Sequence, residues 1–133
     1  MSPAQILIVE DERIIAAELT RRITRLGYAV VAIAGSGIEA IEQARGCCPN
    51  LVLMDIGLPG EMNGLEAGAR IWEELNIPIV YVTAYADEQT IVQARTPPPV
   101  LAVRKPFDAT QLRSTLEQAL TAPGAKGKPE APR

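Results

Sequence analysis

The stretch LVLMDIGLPG, Leu51 to Gly60, decides the fold. Its continuous apolar run has the pattern of a strand buried on both faces, yet the run ends in Asp55, and the loop after it contains Gly57, Pro59 and Gly60. A carboxylate so placed is either the cap of a following helix or a reactive group held at the rim of a sheet.

Working outward, similar runs recur at regular intervals: ILIV at 6–9, AVVAIA at 29–34, IPIVYV at 77–82 and a weaker VLAV at 100–103. Five strands are expected. Between them the spacing turns helical: Ile15, Leu19, Ile23 and Leu26 share one face, as do Leu65, Ala69, Trp72 and Leu75. Further helices are predicted over 37–45, 87–95 and 109–120, the last with Leu112, Leu116 and Leu120 on one stripe. Ser36 with Glu39, Asn63 with Glu66 and Asp108 with Gln111 have capping-box spacing, and Gly27 and Gly46 sit where helices should stop. Trp72 and the leucine stripes read as core. Strict strand–helix alternation with short connections calls for a parallel sheet with helices on both faces. The expected fold is therefore a single doubly wound (βα)5 α/β domain with strand order 2-1-3-4-5; pattern alone also admits a small Rossmann-like order.

Composition narrows the function. A chain of 133 residues, 47% hydrophobic and 22% charged, fits one globular domain. No apolar run reaches the ~18 residues of a membrane span, and MSPAQILIVE lacks the features of a signal peptide, so a cytosolic location is expected. Histidine is absent, which excludes Ser-His or Cys-His catalysis and histidine-ligated metals. The adjacent Cys47 and Cys48 read as reduced thiols near a helix end. The net charge is −3, but residues 1–121 hold 10 basic against 15 acidic residues; APGAKGKPEAPR at 122–133 is the basic part and reads as a flexible tail or linker. Three basic residues do not make a nucleic-acid site. The glycines at 35–37 and 57–64 do not have nucleotide-binding spacing.

In such a sheet ligands bind outside the carboxyl ends of the strands, at the switch point between strands 1 and 3. The residues just past each strand are therefore decisive: Glu10, Asp11 and Glu12 after strand 1, Asp55 after strand 3, Thr83 after strand 4 and Lys105 after strand 5. Glu12 reads as first-turn charge complementing a helix dipole rather than as a ligand. Taken singly, Asp55 would be a cap, Thr83 a strand threonine and Lys105 a surface lysine; their joint placement reverses those readings. Two carboxylates ~5 Å apart repel by roughly 3 kcal/mol at an effective dielectric near 20, so Glu10, Asp11 and Asp55 together favour a divalent cation. Hard oxygen donors suit Mg2+ or Mn2+. An aspartate beside such an ion can act as a nucleophile toward phosphorus, with the Lys105 ammonium and Thr83 hydroxyl meeting phosphoryl oxygens.

This constellation resembles the receiver domain of two-component response regulators, through ILIVEDE, LVLMDIGLPG, IVYVTA and VRKPF in order at the right strand ends, over residues 5–120. The resemblance implies that Asp55 is the phosphoacceptor, that Asp11, Asp55 and the Gly57 carbonyl ligate the metal, and that Glu10 acts through water. It further implies that Thr83, Lys105 and the Ala84 backbone contact phosphate, and that the Lys105–Pro106 peptide is cis. The implied partners are a sensor histidine kinase or phosphotransfer protein and an effector protein, with no direct contact to nucleic acid or membrane, the chain itself being a monomer or weak homodimer. Such a domain catalyses its own phosphorylation and slow hydrolysis without being a conventional turnover enzyme. With no output domain in 133 residues, the effector is expected to be another protein, or the chain to be a piece of a longer regulator or hybrid kinase.

Three departures stand out. The 55–64 loop is one residue longer than the commonest receiver pattern, Ala102 occupies a position where many receivers carry an inward-turning Tyr or Phe, and Pro97 to Pro99 precede strand 5. An aromatic flip at 102 is therefore excluded, and Tyr85 becomes a candidate lid. These departures keep a rival reading open, a phosphate-insensitive receiver-like adaptor. A haloacid-dehalogenase-like phosphatase fits poorly, since Gly57 stands where its general acid belongs.

Overall fold

Five apolar segments become strands in the computed structural model, which describes residues 3–84 and 101–121. The element order is β1 (Gln5–Val9), α1 (Arg13–Arg25), β2 (Ala29–Ala34), α2 (Gly37–Cys47), β3 (Leu51–Asp55), α3 (Gly64–Leu75), β4 (Ile79–Thr83), β5 (Leu101–Arg104) and α4 (Ala109–Leu120). All strand pairs are parallel, as the alternation predicts, and the order is β2-β1-β3-β4-β5, the expected one and not the Rossmann-like alternative. The expected helix at 87–95, the proline run 97–99, Tyr85 and the tail 122–133 lie outside the described residues. No helix among the described residues is long and apolar enough to cross a membrane.

The strands are continuously apolar because successive side chains enter two different cores. Leu7, Val9, Val52, Met54, Ile79 and Tyr81 pack with α2 and α3, whereas Ile6, Ile8, Leu51, Leu53, Val80, Val82 and Val103 pack with α1 and α4. Each fully buried aliphatic chain contributes roughly 1.5–3 kcal/mol. The β1–β2 ladder shifts register between Ile6 and Leu7, which pair with Val30 and Ala32 and leave Val31 as an extra residue on the edge strand.

Helix ends follow the capping logic with instructive exceptions. Asn63 and Asp108 form reciprocal capping boxes with Glu66 and Gln111. Ser36 caps the Glu39 N–H at 3.1 Å, but the Glu39 carboxylate reaches back to the Gly35 N–H instead of that of Ser36. Gly27 ends α1 at φ 99° as expected. Gly46 does not end α2: the helix runs through it to Cys47, and Cys48 takes the left-handed position at φ 47°. Glu12 is the N-cap residue of α1, with no side-chain cap bond, rather than part of its first turn. On α3 the buried line is Leu65, Gly68 and Ile71, with Ala67; Trp72 is half-buried, not core. The line is rotated because Gly68 lets the helix sit directly on the Tyr81 hydroxyl, where an added Cβ would come within 2.2 Å.

Two glycines give opposite expectations. A Cβ on Gly64 would lie 2.2 Å from the Asp55 carbonyl oxygen and 2.9 Å from the Ile56 Cα, both backbone, whereas one on Gly46 meets nothing within 4 Å. Gly64→Ala should destabilise the fold by about 3 kcal/mol or more. Gly46→Ala, inside a helix, should stabilise it by ~0.5–1 kcal/mol. Urea unfolding of the two variants beside the parent checks both signs.

Candidate functional site at the carboxyl edge of the sheet

The site forms because β1 and β3 are neighbours in register, Val9 beside Met54, so the residues just beyond them emerge together. Ligand oxygens of Glu10, Asp11 and Asp55 all lie within 4.8 Å of one another. At that spacing each ionised pair repels by roughly 3 kcal/mol at an effective dielectric near 20. The three differ in setting: Glu10 is buried, with 4% of its surface exposed, Asp55 is half-buried and Asp11 is exposed.

Glu10 continues the ladder, its N–H donating to the Ala34 carbonyl at 2.9 Å. Its Oε2 accepts from the Glu12 N–H at 3.1 Å, and its Oε1 is buried without a hydrogen-bond partner. Burial pushes the Glu10 carboxyl up to about 7. The Glu12 amide and the positive charge of Lys105 oppose that rise, and the negative charge of Asp55 adds to it. A buried carboxylate with one orphaned oxygen, clustered with two further carboxylates, is a donor set that fits a hard divalent cation.

Asp55 closes β3 opposite Val82, and its Oδ1 accepts from the Gly57 N–H at 3.1 Å. Gly57 thus meets Asp55 through its N–H. Thr83, 2% exposed, ends β4, and its carbonyl accepts from the Lys105 N–H at 2.8 Å. Ala84, next in the chain, is exposed. Lys105 is half-buried just past β5, and its peptide bond to Pro106 is cis, as expected. Glu10, Asp11, Asp55, Thr83 and Lys105 therefore stand at or just past the carboxyl ends of β1, β3, β4 and β5, and the three acids come within 4.8 Å of one another. Ala102 is exposed on β5 and Tyr81 lies opposite it in the ladder, buried among α2 and α3 residues.

One residue near the site escapes sequence reasoning. Arg22 of α1 donates from Nη1 to the Phe107 carbonyl at 3.0 Å, and its guanidinium carbon lies 5.4 Å from the centre of the Phe107 ring. The partners are 85 positions apart, and neither has a local pattern that announces the other.

Known proteins agree with this architecture. The family model described as response regulator receiver domain matches residues 6–117. The transcriptional regulatory protein PdtaR of Mycobacterium tuberculosis is 34% identical over 119 residues, covering 90% of this chain and 58% of PdtaR. The signal receiver domain of a modulated diguanylate cyclase from Desulfovibrio desulfuricans superposes with a TM-score of 0.80 at 35% identity, covering 88% of this chain and 93% of that one. The anti-anti-sigma factor PhyR of Bartonella quintana gives 0.76 at 31% identity, covering 90% of this chain and 48% of PhyR. The chain thus spans only about half the length of PdtaR and PhyR.

The raised Glu10 carboxyl has a definite sign. The fold favours the protonated form, so the contribution of Glu10 to stability is greatest below the ordinary value of 4.5, falls as pH rises, and carries the full cost of the buried charge above about 7. In metal-free buffer, Glu10→Gln should exceed the parent in stability by ~1–3 kcal/mol at pH 8, with the difference closing toward pH 5. Urea unfolding in chelator across that range measures it.

Proposed function

The chain belongs to the response regulator receiver family, and we propose that it is a phosphorylation-controlled switch whose Asp55 accepts a phosphoryl group from the phosphohistidine of a histidine kinase or phosphotransfer protein. The observation that carries this reading is the convergence of Asp55 with Glu10 and Asp11, among which one buried Glu10 oxygen is unpartnered. Asp11, Asp55 and the Gly57 carbonyl would hold Mg2+ or Mn2+, with Glu10 acting through water. When bound, the ion supplies positive charge against the phosphoryl oxygens and against the three acids themselves.

The chain's own groups divide the remaining work. An Asp55 oxygen attacks phosphorus, forming the acyl phosphate P–O bond as the P–N bond to the donor imidazole breaks. The Lys105 ammonium neutralises a second phosphoryl oxygen, and the Thr83 hydroxyl and Ala84 N–H donate to the others. Before transfer the same ammonium would pair with Asp55 itself. Gly57, exposed beside Asp55, leaves space for the water that later hydrolyses the acyl phosphate. Ile14, 85% exposed in the first turn of α1, offers a docking donor an apolar contact close to Asp11.

New phosphoryl oxygens draw Thr83 inward and bias an existing equilibrium between two surfaces. The effector is a protein, free or in a further domain of a longer chain, and PhyR, an anti-anti-sigma factor by name, is a relative of that kind. The receiver unit is residues 1–121, with 122–133 as tail or linker, and it acts in the cytoplasm as a monomer or weak homodimer. The exposed Ala102 favours one second reading, an adaptor whose surface ignores phosphate.

Intact mass after incubation with acetyl phosphate tests the first reading. With Mg2+ the parent should gain one phosphoryl group, without Mg2+ or in Asp55→Asn none, and Lys105→Ala and Thr83→Ala should each react at least tenfold more slowly. No gain in folded, Mg2+-binding protein would leave the adaptor. Separately, Mg2+ should raise the melting temperature of the parent and leave Asp11→Asn nearly unmoved.

A further inference from the structure

We propose that Arg22 is a positioning residue for Lys105, anchoring the segment that carries it to α1; the inference rests on the phosphotransfer reading. The connection from β5 to α4 is short and has fixed points at both ends. The Lys105 N–H is bonded to the Thr83 carbonyl at 2.8 Å, and Asp108 is locked in its capping box with Gln111 at 2.8 and 3.1 Å. Between them Pro106 has no N–H to donate, so the middle of the connection is tied through Phe107. Arg22 holds both parts of that residue, its carbonyl by a hydrogen bond and its ring by the face of the guanidinium. An arginine suits this because one planar group can stack and donate at once.

The orientation of Arg22 is itself set, since its Nε donates to Glu18 Oε1 at 3.2 Å and Glu18 also pairs with Arg21. Glu18, Arg22 and Lys105 line one cavity of about 400 Å3, with Ile15, Pro106 and Phe107. Arg22, held by Glu18 on one side and holding Phe107 on the other, thus fixes the backbone that carries Lys105.

The test compares phosphorylation rates from acetyl phosphate at saturating Mg2+ in Arg22→Ala, Arg22→Lys and Phe107→Leu, each also made in a Lys105→Ala background. Arg22→Ala should slow the reaction on the order of tenfold, the scale expected of a misplaced charged group. Mg2+ affinity should stay within about twofold, because Glu10 and Asp11 follow β1 and Asp55 ends β3, whereas Arg22 acts on Phe107 in the β5–α4 connection. Arg22→Lys should recover part of the loss and Phe107→Leu should lose less than Arg22→Ala. In the Lys105→Ala background Arg22→Ala should change the rate by less than about twofold. An unchanged rate in Arg22→Ala, or the same loss with and without Lys105, overturns the proposal while leaving the phosphotransfer reading intact. If the parent takes up no phosphoryl group, that reading falls and this proposal falls with it.

Discussion

The pairing of β1 with β3 is the constraint on which the site depends. Parallel strands point their carboxyl ends the same way, and the register of Val9 with Met54 brings the acids after β1 beside Asp55. Side chains alternate along a strand, so a one-residue slip of β3 would exchange its two faces and remove Asp55 from the cluster. What resists the slip, and the mutual repulsion of the carboxylates, is the sorting of side chains into two cores. Leu7, Ile8, Val52 and Leu53 are all fully buried, and a slip would move each to the wrong helix layer. Hydrophobic burial thus holds together charges that would otherwise separate.

Much of this was legible because the signals were local or strictly ordered. The apolar runs fall within two residues of the observed strands, and the boxes at Asn63 and Asp108 close as their spacing says. Alternation plus the handedness of crossovers gives a parallel sheet covered on both faces; the order 2-1-3-4-5 is its simplest solution, beside a Rossmann-like one, and is the order observed. The site came from reading the residue after each strand. What sequence misjudged depended on contacts. Gly46 looked like a helix stop, yet Cys48 bears the left-handed turn two residues later, with its thiol exposed and its backbone N–H bonded to the Ala44 carbonyl. Trp72 looked like core because it shares a period with Leu65, but the close seat of Gly68 on Tyr81 turns the helix. The Arg22–Phe107 contact joins segments with no shared pattern, so only the folded chain brings it into view.

The same geometry restricts how a switch could operate. A ring that turns inward from position 102 is not available, since that residue is alanine. Its ladder neighbour Tyr81 does not substitute: 3% exposed, it is packed under α3 with its hydroxyl pushed up to about 12 by burial. Tyr81 is a fixed wedge between sheet and helix. Among the described residues, the groups at the strand ends that could take part are smaller, such as the buried Thr83 hydroxyl.

The irregular β2 ladder has a consequence for behaviour at high concentration. Ala29 to Ala34 is an outermost strand with neither charge nor proline, the composition that invites another chain to add itself along the edge. The extra Val31 breaks the regular row of donors and acceptors there, and so blunts the template without spending a charged residue. Backbone shape here stands in the place of the lysine or proline that can protect an edge strand.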